Sequence, residues 1–218
     1  RFEKDGSTTT SLPHQLEGKQ HNNPNDLAVD KQGRVWFTDP FNASADDQEL
    51  DHMSVLRLDP KGHDQWELTR ATHDVSRPNG VLISRDQKTL YVAQSDYSPD
   101  HPRQLRAYPI DDHGSLGDYV TLHTFGIDHR GVQRGVDGMT LDAEGNIVVC
   151  AGWEQSGPGP IIYVFAPTGR ILETHALRVD RPTNCCFGDP DMKTLYVTTG
   201  GGHLFRARTE RTGWIMWP

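Results

Sequence analysis

The chain has 218 residues, 34% of them hydrophobic, which is enough for one globular domain with a sizeable core. Its 22 basic and 30 acidic residues give a net charge of −8, and no cluster of Lys and Arg is available to bind a nucleic-acid backbone. No apolar run approaches the roughly 20 residues of a membrane helix, and the polar first residues do not form a signal peptide. We therefore expect a soluble protein without nucleic-acid or membrane partners.

The three cysteines do not form a disulfide framework, because their number is odd and Cys185 and Cys186 are adjacent. We expect these two and Cys150 to be ordinary strand or core residues. The chain also lacks the CxxC, HExxH, GxSxG and P-loop patterns, which excludes the thiol-redox, zinc-protease, α/β-hydrolase and nucleotide-binding classes that depend on them. If the protein is a hydrolase, water is the expected nucleophile.

Four stretches of the chain resemble one another at intervals of roughly 50 residues, and each pairs a polar head with short β-branched and aromatic runs. Their heads are Asn25, Asn79, Asp137 and Asn184. This period is typical of the four-stranded blades of a β-propeller. No helical periodicity of useful length is present, so the prediction is an all-β protein.

The third repeat shows the expected order of strands and turns most clearly. Its predicted strands are an inner strand at 138–142, a second at 147–151, a third at 161–165 and an outer one at 171–177. The Gly-Pro stretch 157–160 and the polar segment 42–51 are predicted to be surface loops between strands.

The repeats account for the chain from about residue 25 onward, and residues 1–20 resemble the last two strands of an earlier blade around a turn at 4–7. Four blades and a hairpin close poorly into a ring, and an open ring leaves strand edges unpaired. We therefore expect residues 1–218 to be a single propeller domain of about four and a half blades that lacks an N-terminal segment. A complete small propeller is the alternative.

Three repeat heads carry a hard oxygen ligand at the same position, namely Asn25, Asn79 and Asp137. Equivalent positions at the start of the inner strands surround the central channel of a propeller, so these side chains are expected to converge. Two amide carbonyls and one carboxylate suit calcium, or less well magnesium or manganese. A single Asn or Asp beside Pro or Gly is more often a turn residue, but the repetition favours a metal site.

Other polar residues give weaker signals. Asn184 occupies the matching slot of the fourth head and is a predicted substrate-binding residue that lines the channel or orients a water. Asp39 ends an inner-layer strand near the channel mouth and is predicted to contact the substrate. The remaining strand-end aspartates are interpreted as turn-capping or exposed carboxylates, and these are Asp26, Asp30, Asp86 and Asp142.

The ordered motifs closely resemble the gluconolactonase, regucalcin and luciferin-regenerating-enzyme family, nearest its bacterial and fungal gluconolactonase-like branch. The resemblance covers nearly the whole chain. The motifs that carry it are Asn23-Pro24-Asn25-Asp26, Trp36-Phe37-Thr38-Asp39-Pro40, Arg77-Pro78-Asn79-Gly80, Val136-Asp137-Gly138-Met139 and Pro182-Thr183-Asn184.

The resemblance implies a six-bladed propeller with one divalent ion, usually calcium, with magnesium, manganese or zinc as alternatives. In the family a glutamate, two asparagines and an aspartate bind the ion. The asparagines match Asn25 and Asn79 and the aspartate matches Asp137, whereas no residue of this chain matches the glutamate. Asn23 stands where some animal members have a sugar-binding arginine, so it is a predicted substrate contact that departs from the family pattern.

The implied activity is the hydrolysis of a sugar lactone such as glucono-1,5-lactone. The ion would polarise the lactone carbonyl, and Asp137 would be both ligand and general base. Two alternatives remain open at this point: a related propeller esterase or phosphotriesterase, and a non-catalytic calcium-binding or interaction propeller. We expect the chain to be cytoplasmic, with a periplasmic or secreted location as the alternative, and its oligomeric state is not predicted.

Overall fold

The structure is a computed structural model that describes residues 5–7, 12–41, 48–62 and 65–215. Every regular element in these ranges is a β-strand, and they contain no helix. No helix long and apolar enough to cross a membrane is therefore found in the described part of the chain. The predicted all-β class is confirmed.

The strands form antiparallel sheets in chain order, which is the arrangement of propeller blades. A small hairpin of β1 (Gln15–Leu16) and β2 (Lys19–Gln20) comes first. Blade 1 contains β3 (Leu27–Val29), β4 (Val35–Asp39), β5 (Ser54–Pro60) and β6 (Trp66–Arg70). Blade 2 contains β7 (Pro78–Ile83), β8 (Thr89–Ser95), β9 (Arg103–Pro109) and β10 (Val120–Phe125).

A two-residue hairpin of β11 (Ile127–Asp128) and β12 (Gly131–Val132) connects blade 2 to blade 3. Blade 3 contains β13 (Val136–Leu141), β14 (Ile147–Trp153), β15 (Ser156–Phe165) and β16 (Ile171–Ala176). Blade 4 has three described strands, which are β17 (Pro182–Gly188), β18 (Thr194–Thr199) and β19 (Leu204–Arg208).

The core lies between consecutive blades, because successive side chains of a strand point to opposite faces of its sheet. On β7, Val81 packs with Trp36 and Val55 of blade 1, whereas the next residue, Leu82, packs with Met139 of blade 3. A further cluster, which includes Val148, Cys150, Cys185 and Val197, joins blades 3 and 4. Blades 2 and 3 thus each pack against a neighbouring blade on both faces. This apolar packing holds the inner strands side by side.

Two buried aspartates close the turn that follows the inner strand in blades 1 and 3. Asp30 accepts hydrogen bonds from the backbone N of Gln32 (3.0 Å) and of Arg34 (2.9 Å). Asp142 accepts from the backbone N of Glu144 and of Asn146, both at 2.9 Å. The turn-capping interpretation of these two residues is confirmed, although both are buried rather than exposed.

Several details differ from the sequence-based expectations. Segment 157–160 was expected to be a loop, but it lies in the long strand β15, where Gly157 and Gly159 adopt positive φ angles of 68° and 97°. The N-terminal region contains a turn in which Asp5 accepts from the backbone N of Ser7 (2.9 Å), but the residues around this turn lie outside the described ranges. Most of the predicted loop 42–51 also lies outside them.

The cysteines are strand residues, as expected. Cys150 and Cys185 are buried, and Cys186, whose side chain points the other way, is exposed.

Candidate metal centre

The starts of the inner strands lie side by side, because each reaches the next through a specific contact. The backbone N of Val81 donates to Oδ2 of Asp26 at 3.1 Å, which links the heads of blades 1 and 2. A Cβ at Gly80 would overlap the carbonyl oxygen of Asp137, and a Cβ at Gly138 would overlap the side chain of Asn184. Glycine after the head residue therefore permits the close approach of consecutive blades in two of the repeats.

Asp137 is the second residue of β13 and lies half-buried between two partners. The guanidinium of Arg134 donates to its Oδ2, and the amide of Asn79 lies close enough to favour the ionised carboxylate. Burial raises the pKa of Asp137 above the ordinary aspartate value, and the Arg134 and Asn79 contacts offset only part of this rise. Asp137 is therefore a carboxylate that accepts a proton more readily than an exposed aspartate does.

Asn79 presents a buried amide oxygen that lacks a partner. Its Oδ1 makes no hydrogen bond within the described part of the structure, although its side chain contacts Asp137. An unpaired buried acceptor costs about 1–3 kcal/mol, so such an atom usually has a partner, either an ordered water or an ion. An amide oxygen beside a carboxylate is the chemistry that hard cations prefer, and these two residues fit a calcium ion.

The amide residues are essential to this interpretation. The described residues contain no group of three or more His, Cys, Asp and Glu side chains arranged to hold a metal ion. A cation at the heads would therefore depend on amide oxygens in addition to the carboxylate of Asp137.

Asn25, the third predicted ligand, is placed differently. Its side chain is exposed and has no hydrogen bond in the described structure, and its backbone N donates to the carbonyl of Thr38 at 2.9 Å. It precedes Asp26, which contacts blade 2, so the residue lies beside the other heads. The structure thus places Asn79 next to Asp137, and among the described residues it records no side-chain hydrogen bond between Asn25 and either of them.

Asn184 lines a cleft next to the heads. Its side chain lies over Gly138, and its Oδ1 accepts from the backbone N of Cys185 at 2.8 Å. The cleft has a volume of about 320 Å³ and runs along the inner strands. A larger cleft of about 780 Å³ lies near Arg85 and Trp214, beside the turns at the other ends of the strands, and the predicted site residues do not line it.

The two predicted substrate contacts of blade 1 differ in exposure. Asn23 is exposed, with its backbone N bonded to the carbonyl of Pro40 (3.1 Å). Asp39 is fully buried, and its Oδ2 accepts from the backbone N of Asn22 at 2.8 Å. Its Oδ1 lies 4.0 Å from Nδ1 of His21 without a hydrogen bond. Burial raises the pKa of Asp39, and the carboxylate is enclosed by the fold rather than presented at the surface.

Sequence reasoning missed two residues of the site. Asp26 was interpreted as turn-capping or exposed, but it is partly buried and its Oδ2 bridges to blade 2. Burial raises the pKa of Asp26, and the nearby charge of Asp137 raises it further. A signal was present in the sequence, because the residue after the head is glycine in the second and third repeats and aspartate in the first.

Arg134 is the second missed residue. It is buried, and besides Asp137 its Nη1 contacts the carbonyl oxygens of Pro182 (2.8 Å) and Gly152 (3.4 Å). It therefore connects the carboxylate of blade 3 to the first residue of the inner strand of blade 4. No repeated motif marks this position, since Arg134 lies in the irregular segment ahead of β13.

The fold and the site together define a class of protein: an antiparallel propeller with a carboxylate and an amide oxygen where its inner strands start. Residues 1–201 match the family described as SMP-30/Gluconolactonase/LRE-like region. The chain belongs to this family.

Similar proteins have lactonase names. The chain is 34% identical over 205 residues to gluconolactonase of Zymomonas mobilis, covering 90% of this chain and 53% of that protein. It is 28% identical to 6-deoxy-6-sulfogluconolactonase of Pseudomonas putida, covering 97% of this chain and 65% of that protein. A solved gluconolactonase of Xanthomonas campestris is 32% identical with a TM-score of 0.69, covering 94% of this chain and 62% of that chain. The chain thus spans between half and two thirds of the length of these relatives.

Proposed function

We propose that the protein is a calcium-dependent lactonase that opens a sugar lactone such as glucono-1,5-lactone to the aldonic acid. The observation that carries the proposal is the proximity of Asn79 and Asp137, where a buried amide Oδ1 without a hydrogen-bond partner in the described structure lies near a carboxylate of raised pKa. The lactonase names of its relatives support the choice of substrate class.

Asn79 and Asp137 would hold the calcium ion, with Asn25 as a third ligand. The ion would supply Lewis-acid polarisation of the lactone carbonyl. Magnesium, manganese and zinc are the alternative ions, and the oxygen-only set favours calcium among them. Asn23 and Asn184 are proposed to contact the sugar hydroxyls, whereas Asp39, predicted from the sequence as a third contact, is fully buried and instead holds the backbone of Asn22 next to Asn23.

Asp137 is proposed to act as the general base. The guanidinium of Arg134 holds its Oδ2, so Oδ1 is the oxygen that would accept the proton of the attacking water. The raised pKa of Asp137 favours this transfer. The proton would then pass to the ring oxygen that leaves, so no covalent intermediate is required.

The single domain is proposed to be part of a six-bladed ring. Four blades in a chain that spans 62% of the Xanthomonas gluconolactonase fit a total of six. We propose the cytoplasm as its location, which cell fractionation with a periplasmic marker protein would test.

Hydrolysis of glucono-1,5-lactone with calcium and with a chelator tests the proposed activity. We expect chelation and Asp137→Asn each to lower kcat/KM at least about 100-fold, equivalent to about 2.7 kcal/mol of transition-state stabilisation. Asp191→Asn is the matched control, because Asp191 is an exposed aspartate with an Arg208 partner and should leave kcat/KM unchanged. Activity that survives both chelation and Asp137→Asn would rule out the proposal.

A further inference from the structure

Three side chains form a stack between blades 2 and 3 next to the head residues. The rings of Tyr97 and Trp153 are stacked, with centroids 5.5 Å apart and planes 18° apart. The guanidinium carbon of Arg77 lies 5.4 Å from the centroid of the Tyr97 ring. Arg77 precedes β7, Tyr97 follows β8 and Trp153 ends β14, so the stack stands at the end of the blades where Asn79 and Asp137 lie.

The stack is anchored at both ends. Nε1 of Trp153 donates to Oγ of Ser156 at 2.7 Å, and Ser156 is buried. The backbone of Arg77 is fixed by Ser95, whose N donates to the Arg77 carbonyl at 2.9 Å. Oε1 of Gln94 accepts from the Arg77 backbone N at 3.3 Å. The arginine side chain is therefore supported by rigid elements, which lowers the entropy cost of binding through it.

The guanidinium of Arg77 has no hydrogen bond or ion pair with any residue that the structure describes. The nearby carboxylates are used elsewhere. Asp74 accepts from the hydroxyl of Tyr108 at 2.9 Å, and Asp96 contacts Nδ1 of His101 at 2.8 Å. Stacking covers a face of the guanidinium and leaves the N–H groups at its edge free. A planar cation of this kind is suited to bidentate binding of a phosphate, sulfonate or carboxylate.

The position of Arg77 relative to the proposed catalytic residues sets the kind of ligand. Arg77 and Asn79 are two residues apart in the chain, so their Cα atoms are at most about 7 Å apart. Both lie beside blade 3, because the residue after Asn79 packs against the carbonyl of Asp137 and Arg77 stacks on the ring that packs against Trp153. A hexonolactone whose carbonyl lies at Asn79 and Asp137 has its C6 substituent within reach of this distance.

We propose that Arg77 recognises an anionic group at the end of the substrate remote from the lactone carbonyl, so that the preferred substrate is an acidic sugar lactone. This inference rests on the proposed function and specifies its substrate class. With a neutral hexonolactone the Arg77 N–H groups have no charged partner among the described residues, whereas a phosphate, sulfonate or carboxylate on C6 pairs with them. In a protein of net charge −8, an unpaired cation beside the site supplies a local attraction for such a substrate.

The kinetic test compares 6-phosphoglucono-1,5-lactone with glucono-1,5-lactone. We expect kcat/KM to be at least roughly tenfold higher for the phosphorylated lactone, in keeping with a charge-assisted hydrogen-bonded pair. Arg77→Met should remove this preference while leaving kcat/KM for the neutral lactone within about twofold. Arg77→Lys, which keeps the charge without the planar fork, should retain only part of the preference.

Arg85→Met is the matched control. Arg85 is also stacked on an aromatic ring, with its guanidinium carbon 4.2 Å from the centroid of the Trp214 ring, but it lies beside the large cleft at the other end of the blades. The control should keep the preference for the phosphorylated lactone. A preference that survives Arg77→Met, or that is lost equally in Arg85→Met, overturns the proposal.

A binding measurement separates this inference from the proposed activity. Calorimetric titration with the open-chain acids 6-phosphogluconate, 6-deoxy-6-sulfogluconate, glucarate and gluconate compares the three anionic groups with a neutral C6 hydroxyl. We expect at least one of the first three acids to bind roughly tenfold more tightly than gluconate, and Arg77→Met to abolish the difference.

The acid that binds most tightly identifies the anionic group that Arg77 prefers. If the wild-type chain shows no difference among the four acids, the inference fails even where glucono-1,5-lactone is hydrolysed. If the difference is present but no lactone is hydrolysed, the proposed activity fails and the anion site stands.

Discussion

Strand β13 has an aspartate at each end, and the two carboxylates are in opposite situations. Asp142, which follows the strand, is buried and accepts hydrogen bonds from two backbone N–H groups, from Nδ2 of Asn146 (2.8 Å) and from Nη1 of Arg211 (2.6 Å). Asp137, at the start of the strand, has only side-chain partners, and its pKa is raised by burial. The hydrogen-bonding capacity of Asp142 is fully used by the fold, and that of Asp137 is not.

This difference separates a structural carboxylate from one available for chemistry. A carboxylate that the backbone satisfies stabilises its turn and has no capacity left for a ligand. Asp137 has only side-chain partners and lies next to an unpaired amide oxygen. Burial opposes the ionisation of this carboxylate, and a bound cation would favour it. We therefore expect substitution of Asp142 to lower stability and substitution of Asp137 to affect ligand binding.

The largest effect on stability is expected from Asp142→Ala. The substitution leaves the turn N–H groups and Arg211 without their buried acceptor, and breaking a buried charge pair in this way costs about 3–5 kcal/mol. Urea denaturation would measure the loss in the free energy of unfolding. Asp191→Ala, which removes an exposed partner of Arg208, should leave that free energy essentially unchanged. Equal midpoints for the two variants would show that Asp142 is not structural.

A smaller loss is expected from Gly80→Ala, which tests how closely the blades approach at the heads. The new methyl group would overlap the carbonyl oxygen of Asp137, which is backbone and cannot rotate away. Overpacking of this kind costs about 1–3 kcal/mol, and calcium binding should weaken as β7 and β13 separate.

Gly117→Ala is the control for this prediction, because a Cβ there meets only Pro109 at ordinary contact distances of 3.7–3.8 Å. Thermal unfolding and calorimetric calcium titration would check both variants. A Gly80→Ala protein with the melting temperature and calcium affinity of the control would contradict the predicted close approach.

The smallest effect on stability is expected from Asp137→Asn, in the opposite direction to Asp142→Ala. Because the folded pKa of Asp137 lies above its ordinary value of 3.8, the folded state binds more protons than the unfolded state in the window between the two values. Stability therefore falls as the pH rises through this window. Replacing Asp137 removes that cost, so at neutral pH and without calcium the variant should be slightly more stable, by less than about 1 kcal/mol.

The pH dependence sharpens this prediction. The stability difference between wild type and Asp137→Asn should vanish at pH values well below 3.8, where Asp137 is protonated in both states. Urea titrations at pH 7, 5 and 3 would check it, and a variant that is less stable than wild type at neutral pH would contradict the unfavourable burial of this carboxylate.

Calcium affinity should also depend on the ionisation of Asp137, but here the ionised form is the favourable one. The cation binds the ionised carboxylate, so affinity is expected to fall as the pH is lowered through the raised pKa of Asp137, sooner than an ordinary aspartate would allow. Calorimetric titration at pH 7, 6 and 5 would show this decline. An affinity that stays constant over this range would mean that Asp137 is not a ligand.

Much of the fold could be predicted from the sequence, because the repeat carries a period of two within strands and clear turn residues between them. The strand 147–153 was expected to begin at 147, and it does. Segment 157–160 was misassigned because glycine and proline usually break strands, whereas here they occupy the irregular start of β15 next to the end of β14. Local composition could not reveal that partner.

The site was less accessible to prediction. The repeated heads drew attention to Asn79 and Asp137, and the structure places the start of β7 against Asp137, where the Asn79 amide favours the ionised carboxylate. The role of Arg134 depends on its carbonyl partners at Gly152 and Pro182, which lie 18 and 48 residues further along the chain. Such contacts are set by the packing of neighbouring blades, and a motif read within one repeat contains no information about them.

The hydrogen bonds of Arg134 have a mechanical consequence. The same guanidinium donates to the carboxylate of Asp137 in blade 3 and to the carbonyl of Pro182 in blade 4, so it couples the positions of the two sheets. A slide of blade 4 relative to blade 3 would pull Arg134 and rotate the carboxylate away from Asn79. Substitutions in the apolar layer between these blades, around Val148 and Val197, are thus expected to change the orientation of the Asp137 carboxylate although they lie elsewhere in the molecule.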